Sequence, residues 1–269
     1  MNKLKNLIYE LNHLKKTYRD QTVINISRLE FHRGTIYGIV GPTGSGKSTL
    51  LNMLGGKIKQ SSGNLKYEDY PFKLSLFGSV QPHSEIKLVQ LNDKISRSAI
   101  SELFKKSSSK SILSQFFKNR FSNNNTSINY KELSNGELAF LGLLNAFEND
   151  PRALLVDDYG ALFDNNLEKK IREKIKLMNR ELGTTFILAS SSDTNLKKLA
   201  SVLIYLDNGH ISKIRSRSNR PSRSRQSGKR KSSRNNSRRN NRNNNPKHRS
   251  SGIKNKQRPS KNKELNRNK

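Results

Sequence analysis

Residues 41–48 read Gly41-Pro42-Thr43-Gly44-Ser45-Gly46-Lys47-Ser48, and this octapeptide is the most informative segment of the chain. It matches the pattern G-x-x-x-x-G-K-[ST], in which glycines let the backbone curl so that successive N–H groups point at phosphate oxygens. The lysine of such a loop reaches the β- and γ-phosphates, and the hydroxyl after it ligates Mg²⁺. The sequence therefore predicts a nucleotide-phosphate site made of these eight residues and Thr49.

The segments on either side of this loop predict a strand, a loop and a helix in succession. Residues 35–40 form a short apolar run typical of a strand, and residues 48–54 carry apolar side chains at helical spacing. The positive N-terminal end of that helix would face the bound phosphates. This order is the beginning of a P-loop α/β domain.

The distribution of charge divides the chain into two parts. The 269 residues include 52 Lys and Arg against 21 Asp and Glu, a net charge of +31. Residues 215–269 hold 21 of those cations and a single acid, Glu264, so this stretch alone carries +20. Its only large apolar side chains are Ile253 and Leu265, too few to offset the loss of backbone entropy on folding. We expect one α/β domain over residues 1–214 and a disordered basic tail over 215–269.

Composition also excludes several classes of protein. The chain has no Cys, which excludes a disulfide framework and Cys-ligated zinc. No apolar run approaches the roughly 18 residues of a membrane span, and charged residues interrupt the N-terminus too early for a signal peptide. We expect a cytoplasmic protein that is attached to a membrane, if at all, through a partner.

Strand-like and helix-like segments alternate within residues 1–214. Strands are expected at residues 4–18, 22–26, 74–81, 153–156 and 185–189. Helices are expected within 94–149 and over 167–182, and a closing hairpin over 202–211. The runs at 153–156 and 185–189 are continuously apolar, as in central parallel strands covered on both faces.

Two carboxylates, Asp157 and Asp158, follow the apolar run at 153–156. At this position downstream of a phosphate loop, we expect Asp157 to help bind Mg²⁺ and Asp158 to activate water. An ordinary solvated strand end is the alternative interpretation.

With these motifs in place, residues 1–214 resemble the nucleotide-binding domain of ABC (ATP-binding cassette) ATPases. The discriminating element is Leu133-Ser134-Asn135-Gly136-Glu137, which is similar to the family signature LSGGQ or LSGGE and lies 24 residues before Asp157. The resemblance implies an α/β P-loop NTPase of ABC type. Its central sheet would be mostly parallel, with an antiparallel β subdomain and an α-helical subdomain inserted at about 82–150.

The resemblance also implies ligands, a pairing mode and roles for single residues. ATP and Mg²⁺ would bind between two domains paired head to tail, in a homodimer or heterodimer. Ser134 and Gly136 of one domain would complete the γ-phosphate shell of the other. Tyr18 falls where an aromatic ring stacks on adenine, and Gln81 falls at the Q-loop glutamine, which touches Mg²⁺ or water. Ser191 falls at the switch position near the γ-phosphate.

Several of these positions depart from the family pattern. Asp158 is one methylene shorter than the usual glutamate, and Ser191 stands where histidine is usual. A serine hydroxyl donates a single hydrogen bond and lacks the reach of imidazole. Asn135 replaces the first glycine of the signature, and Tyr159 replaces a proline. These departures predict firm ATP binding, with hydrolysis slowed because of Asp158 and Ser191.

Three functions fit this sequence. The first is an ATP-binding subunit that energises a membrane transporter through separate permease chains, at the inner face of a membrane. The second is a non-transport ABC ATPase acting on RNA, ribosomes or DNA through residues 215–269, a tail that also suits anionic lipid. The third is a degenerate cassette that binds ATP as a regulatory partner. Neither the transported substrate nor the permease is identified by the sequence.

Overall fold

A computed structural model of the chain describes residues 6–91, 95–105, 113 and 133–217. The strands in chain order are β1 (Leu7–Tyr18), β2 (Gln21–His32), β3 (Ile36–Val40), β4 (Ser62–Tyr67), β5 (Tyr70–Pro71), β6 (Ile86–Gln90), β7 (Ala153–Asp157), β8 (Thr185–Ser190), β9 (Val202–Asp207) and β10 (His210–Ser216). The helices are α1 (Lys47–Leu54), α2 (Arg97–Lys105), α3 (Asn135–Phe147) and α4 (Asn165–Leu182), with a 3-10 turn at Leu196–Lys198.

The central sheet has six strands in the order β10-β9-β3-β8-β7-β6. Every neighbouring pair is parallel except β9 and β10, which form the antiparallel closing hairpin. Every residue of β3 and β7 is buried, because helices or strands cover both faces of the sheet. The predicted mostly parallel sheet is therefore confirmed.

A second sheet is antiparallel and follows the order β2-β1-β4-β5. Its long hairpin pairs Tyr9 with Phe31 and Leu14 with Ile26, so apolar side chains of both strands fall on one face. That face packs with α1 and one face of the central sheet around Leu50 and Leu155. This is the predicted antiparallel β subdomain.

The other face of the central sheet packs against the remaining helices. Leu154 and Val156 of β7 join Phe140 of α3 and Ile171 of α4 in one apolar cluster. The neighbouring Leu155 belongs to the opposite cluster, as expected where successive side chains of a strand alternate between two covered faces. The strand order thus brings the carboxyl ends of β3, β7 and β8 to the same edge of the sheet.

The predicted strand at residues 74–81 is wrong. These residues form a tight loop with one isolated antiparallel bridge between Leu74 and Val80, closed by the Ser75 and Ser79 hydroxyls 2.6 Å apart. Gly78 lies in the left-handed region at φ 75°, which interrupts any extended run. The strand of this part of the chain is β6, which falls inside the range assigned to the helical subdomain.

The helices agree with the sequence where they are described. α4 begins two residues earlier than predicted, with the Asp164 side chain accepting the Leu167 N–H at 2.7 Å, and it ends before Gly183 at φ 70°. α2 and α3 lie within the predicted helical stretch, while most of residues 106–132 fall outside the described part. The predicted tail also lies outside it, apart from 215–217. Within the described ranges, no helix combines the length and the apolar character needed to cross a membrane.

Candidate nucleotide-binding site

The octapeptide forms the turn between the end of β3 and the start of α1. Residues 41–46 make the loop, and Lys47, Ser48 and Thr49 lie in the first turn of α1. Gly44 and Gly46 adopt left-handed φ angles of 82° and 98°. A Cβ at Gly41 would overlap the Leu206 carbonyl oxygen, and one at Gly46 would lie 2.8 Å from the Val23 carbonyl oxygen. The loop is thus packed against β9 and β2 in a shape that requires glycine.

Lys47 lies buried beneath this loop. Its ammonium donates hydrogen bonds to the Gly41 carbonyl at 2.8 Å and to the Pro42 carbonyl at 2.9 Å. Burial lowers the pKa of Lys47, and the nearby charges of Asp157 and Asp158 partly offset that effect. An anionic phosphate beside the ammonium would favour the charged form in the same way.

Asp157 ends β7 next to the loop and is only 4% exposed. Burial raises the pKa of this carboxyl, and a hydrogen bond from the Ser48 hydroxyl opposes the rise. A hydroxyl and a buried carboxylate beside a phosphate loop are oxygen donors of the kind that Mg²⁺ takes together with phosphate oxygens. The described residues contain no group of three or more His, Cys, Asp or Glu that would hold a metal by themselves. The donor set therefore fits a magnesium ion that shares its ligands with a bound nucleotide.

Asp158 has a left-handed backbone with φ 55°. Among side-chain-bearing residues Asp and Asn tolerate this region best, but it still costs about 1–3 kcal/mol. The Asp158 N–H donates to Asp157 Oδ1 at 3.1 Å, and its carboxylate is close enough to influence both Lys47 and Asp157 electrostatically. The structure thus brings Lys47, Ser48, Asp157 and Asp158 together, as the sequence predicts.

Gln81 does not end a strand, contrary to the prediction. Its N–H donates to the Lys73 carbonyl at 2.8 Å, and it lines a groove with Tyr67 and Phe72 beside the antiparallel sheet. The glutamine at the end of a strand of the central sheet is Gln90, which lies opposite Asp157 in the β6–β7 register. The structure therefore removes the basis for assigning Gln81 to the magnesium site.

Sequence reasoning missed Gln90 although a signal was present. β6 reads Ile-Lys-Leu-Val-Gln, with Ile86 buried and the rest partly buried, because it is the edge strand of the sheet. The side-chain oxygen of Gln90 accepts a hydrogen bond from Lys57 Nζ at 2.7 Å. The signal was the short run at residues 86–90, in which apolar residues are mixed with Lys87 and which ends at Gln90.

Tyr18 lies at the end of β1 with about half of its side chain exposed. The Lys16 ammonium lies 4.9 Å from the centre of its ring. In the same hairpin Lys16 pairs with Ile24, and Ile24 packs against Gly46 of the phosphate loop. An exposed aromatic face thus stands on the strand pair that borders the loop, and its contact with adenine stays a prediction.

Ser191 is the exposed residue directly after β8. The preceding Ser190 carbonyl accepts the Gly41 N–H at 3.3 Å, so this strand end borders the start of the phosphate loop. The proposed contact of the Ser191 hydroxyl with a γ-phosphate stays a prediction.

The signature segment forms the exposed N-terminus of α3. The Ser134 hydroxyl caps the helix by accepting the Glu137 N–H at 3.2 Å, and the Glu137 carboxylate accepts the Ser134 N–H at 2.7 Å. A Cβ at Gly136 would lie 2.5 Å from the Leu162 carbonyl, so glycine permits the close approach of the turn after β7. The Ser134 and Glu137 N–H groups are therefore bonded within this helix end. Its contact with a phosphate bound to a second domain stays a prediction.

A glycine-rich loop between a buried strand and a helix, with an acidic strand end beside it, defines the chain as a P-loop nucleotide-binding domain. The family model for the ABC transporter matches residues 24–160, just over half of the chain. The chain belongs to the ABC transporter family.

Individual proteins and solved structures resemble this chain at low sequence identity. The spermidine/putrescine import ATP-binding protein PotA of Bacillus anthracis is 26% identical over 221 residues, covering 77% of this chain and 65% of its own length. The chain thus spans about two thirds of that relative's length. Solved structures with the same fold include cbiO1 of Clostridium perfringens, described as part of the ABC transporter complex cbiONQ (TM-score 0.63, 20% identity, 78% of this chain and 89% of that one). The dimeric bacterial ABC transporter cassette MJ0796 has a TM-score of 0.64 at 21% identity, covering 77% of this chain and 98% of that one.

Proposed function

We propose that this chain is an ATP-binding subunit of an ABC transporter and hydrolyses ATP, with its cassette over residues 1–214. The observation that carries the proposal is the grouping of Lys47, the Ser48 hydroxyl and the buried Asp157 carboxylate around one glycine-rich loop. The relatives support it, since they are described as ATP-binding proteins or cassettes of transporters.

In this proposal the loop and α1 bind the triphosphate. Backbone N–H groups of the loop and the Lys47 ammonium contact phosphate oxygens, and Tyr18 stacks on the adenine. Ser48, Asp157 and Gln90 would hold Mg²⁺, which would neutralise charge on the β- and γ-phosphates. Asp158 accepts the proton of the attacking water. Because its side chain is one methylene shorter than glutamate, hydrolysis is slow relative to binding.

A second ATP-binding domain completes the site, as either a second copy or a related chain. Ser134 and Gly136 of that second domain supply the exposed helix N-terminus that faces the γ-phosphate. On the chain that binds the triphosphate, the Ser191 hydroxyl donates its one hydrogen bond to the γ-phosphate. A homodimer therefore carries two sites that both depend on Asp158.

The partner that couples this site to transport is a transmembrane permease, which places the chain at the inner face of a membrane. A second candidate function, an ABC ATPase acting on RNA or ribosomes, rests on the +20 charge of residues 215–269. The same charge would attract anionic lipid without a permease.

Fractionation of native extract separates these candidates. After nuclease treatment and a moderate-salt wash, we expect the chain in the membrane fraction, with release only by detergent. A variant truncated after Arg217 should behave in the same way, because the cassette rather than the tail contacts the permease. Sedimentation of the full chain with ribosomal particles, lost on truncation, would favour the second candidate and contradict the first.

A matched pair of glutamine variants tests the placement of the magnesium site. We expect Gln90→Ala to lower kcat about tenfold and to raise the Mg²⁺ concentration needed for half-maximal turnover, because an oxygen donor is lost. Gln81→Ala should leave both quantities unchanged, since Gln81 lies beside Phe72 near the antiparallel sheet. Turnover of both variants is measured over a Mg²⁺ titration. Loss of turnover in Gln81→Ala with wild-type turnover in Gln90→Ala would restore the assignment of Gln81 to the magnesium site.

A further inference from the structure

Behind the turn that carries Asp158 lies a buried polar pair. Tyr159 is 1% exposed and Glu168 of α4 is 3% exposed, and the Tyr159 hydroxyl donates to Glu168 Oε1 at 3.2 Å. The other carboxylate oxygen of Glu168 lies 3.6 Å from the Arg172 guanidinium, one helical turn further along. A carboxylate is costly to bury without partners, so these two contacts hold it in place.

The backbone of Asp158, next to this pair, adopts a strained left-handed conformation. Asp158 is left-handed, and such residues persist only where the surrounding structure fixes them. The Tyr159 N–H donates to the Ala189 carbonyl of β8 at 2.8 Å, and the Ala161 N–H donates to the Asp158 carbonyl at 3.0 Å. The buried Tyr159 side chain anchors the turn on its inner side, at the position where the family usually has proline.

We propose that Tyr159, held by Glu168 and Arg172, is a positioning residue that fixes the Asp158 carboxylate against the phosphate loop. The inference rests on the proposed role of Asp158 in ATP hydrolysis. An aspartate has one side-chain torsion fewer than a glutamate with which to correct a displaced backbone. A displacement of the turn is therefore transmitted directly to the carboxylate, and errors of about 1 Å at a reacting group cost on the order of a hundredfold in rate.

Loss of the tyrosine hydroxyl alone is the first test. We expect Tyr159→Phe to lower kcat about tenfold while the Kd for a fluorescent ATP analogue stays unchanged, because the phosphate loop is untouched. Tyr37→Phe is the matched control, since Tyr37 is also buried and its hydroxyl accepts the His32 N–H at 2.7 Å at the start of β3. This control should keep wild-type kcat.

Two changes at Glu168 give a second route should Tyr159→Phe fold poorly. Glu168→Gln keeps a side-chain oxygen that accepts the Tyr159 hydroxyl, so kcat should stay within about twofold of wild type. Glu168→Leu removes the acceptor and should reproduce the tenfold loss. Equal losses in both variants would overturn the inference, because charge rather than this hydrogen bond would then matter.

A double-mutant cycle separates positioning from a general loss of stability. In an Asp158→Asn background, where no carboxylate remains to be positioned, Tyr159→Phe should leave the residual single-turnover rate unchanged. A tenfold loss in both backgrounds would overturn the inference while leaving the proposed function intact. An Asp158→Asn variant that hydrolyses ATP like the wild type would instead overturn the proposed role of Asp158, and the inference with it.

Discussion

Replacing Lys47 by alanine is expected to weaken Mg-ATP binding at least about a hundredfold, or roughly 3 kcal/mol. The ammonium is the buried cation of the phosphate loop, and its hydrogen bonds to the Gly41 and Pro42 carbonyls also hold the loop closed on itself. The variant therefore loses both a charge-assisted contact with phosphate and part of the loop's preorganisation. Titration with a fluorescent ATP analogue in the presence of Mg²⁺ measures the effect.

Lys176→Ala supplies the control, because Lys176 is an exposed lysine of α4. Its Kd should match that of the wild type. Circular dichroism of Lys47→Ala should show an intact fold, since the neighbouring glycines define the loop geometry. Binding of Mg-ATP by a folded Lys47→Ala variant with wild-type affinity would contradict the assignment of the nucleotide site.

The second large effect is expected from Asp158→Asn, which should lower kcat by about 10²–10³ while leaving ATP affinity nearly unchanged. Asparagine has the same size and also tolerates a left-handed backbone, so the turn is preserved. The amide cannot accept a proton from water. ATP should then accumulate uncleaved between two domains, and size-exclusion chromatography with Mg-ATP should show more dimer than for the wild type.

Asp150→Asn is a matched control for this change. Asp150 is also left-handed, at φ 42°, and it is exposed at the end of α3. Phosphate release by this variant should equal that of the wild type. A similar loss in both variants would mean that the left-handed backbone tolerates asparagine poorly, and equal turnover of wild type and Asp158→Asn would mean that another group activates water.

The parts of the site that are continuous in sequence were predictable. The phosphate loop carries its own signal because its glycines, Lys47 and Ser48 must occur at fixed spacing to do their chemistry. The buried strand ending in Asp157 was evident because both of its faces are covered, which makes it uniformly apolar. The strand at residues 185–189 was evident for the same reason, and the helix α4 was evident from the helical spacing of its apolar residues.

The strand preceding the helical region was not predictable from hydrophobicity. Residues 74–81 include four large apolar side chains, one more than the shorter β6, yet Leu76 and Phe77 are fully exposed at the tip of a loop. β6 is an edge strand, where one side lacks a neighbour and polar residues are tolerated. Because the strand was predicted at residues 74–81, the predicted glutamine at its end was Gln81 and not Gln90.

Contacts between elements that are distant along the chain could not be predicted from the sequence. Tyr159 and Glu168 lie nine positions apart, one on a turn and one on a helix, and only the packing of α4 on the central sheet brings their polar atoms to 3.2 Å. The left-handed backbone of Asp158 likewise depends on tertiary contacts. The sequence showed that Asp158 and Tyr159 depart from the family pattern, and the structure shows what surrounds them.

Phosphate release from ATP by the purified wild-type chain, measured with Mg²⁺ over a range of protein concentrations, is the most direct test of ATP hydrolysis by paired copies of this chain. We expect slow hydrolysis whose rate rises more steeply than in proportion to protein concentration, because two copies must pair to form each site. We also expect Asp158→Asn to lower this rate by about 10²–10³. Release from the wild type that never exceeds the Asp158→Asn background at any protein concentration would contradict the proposal that two copies of this chain form an active ATPase.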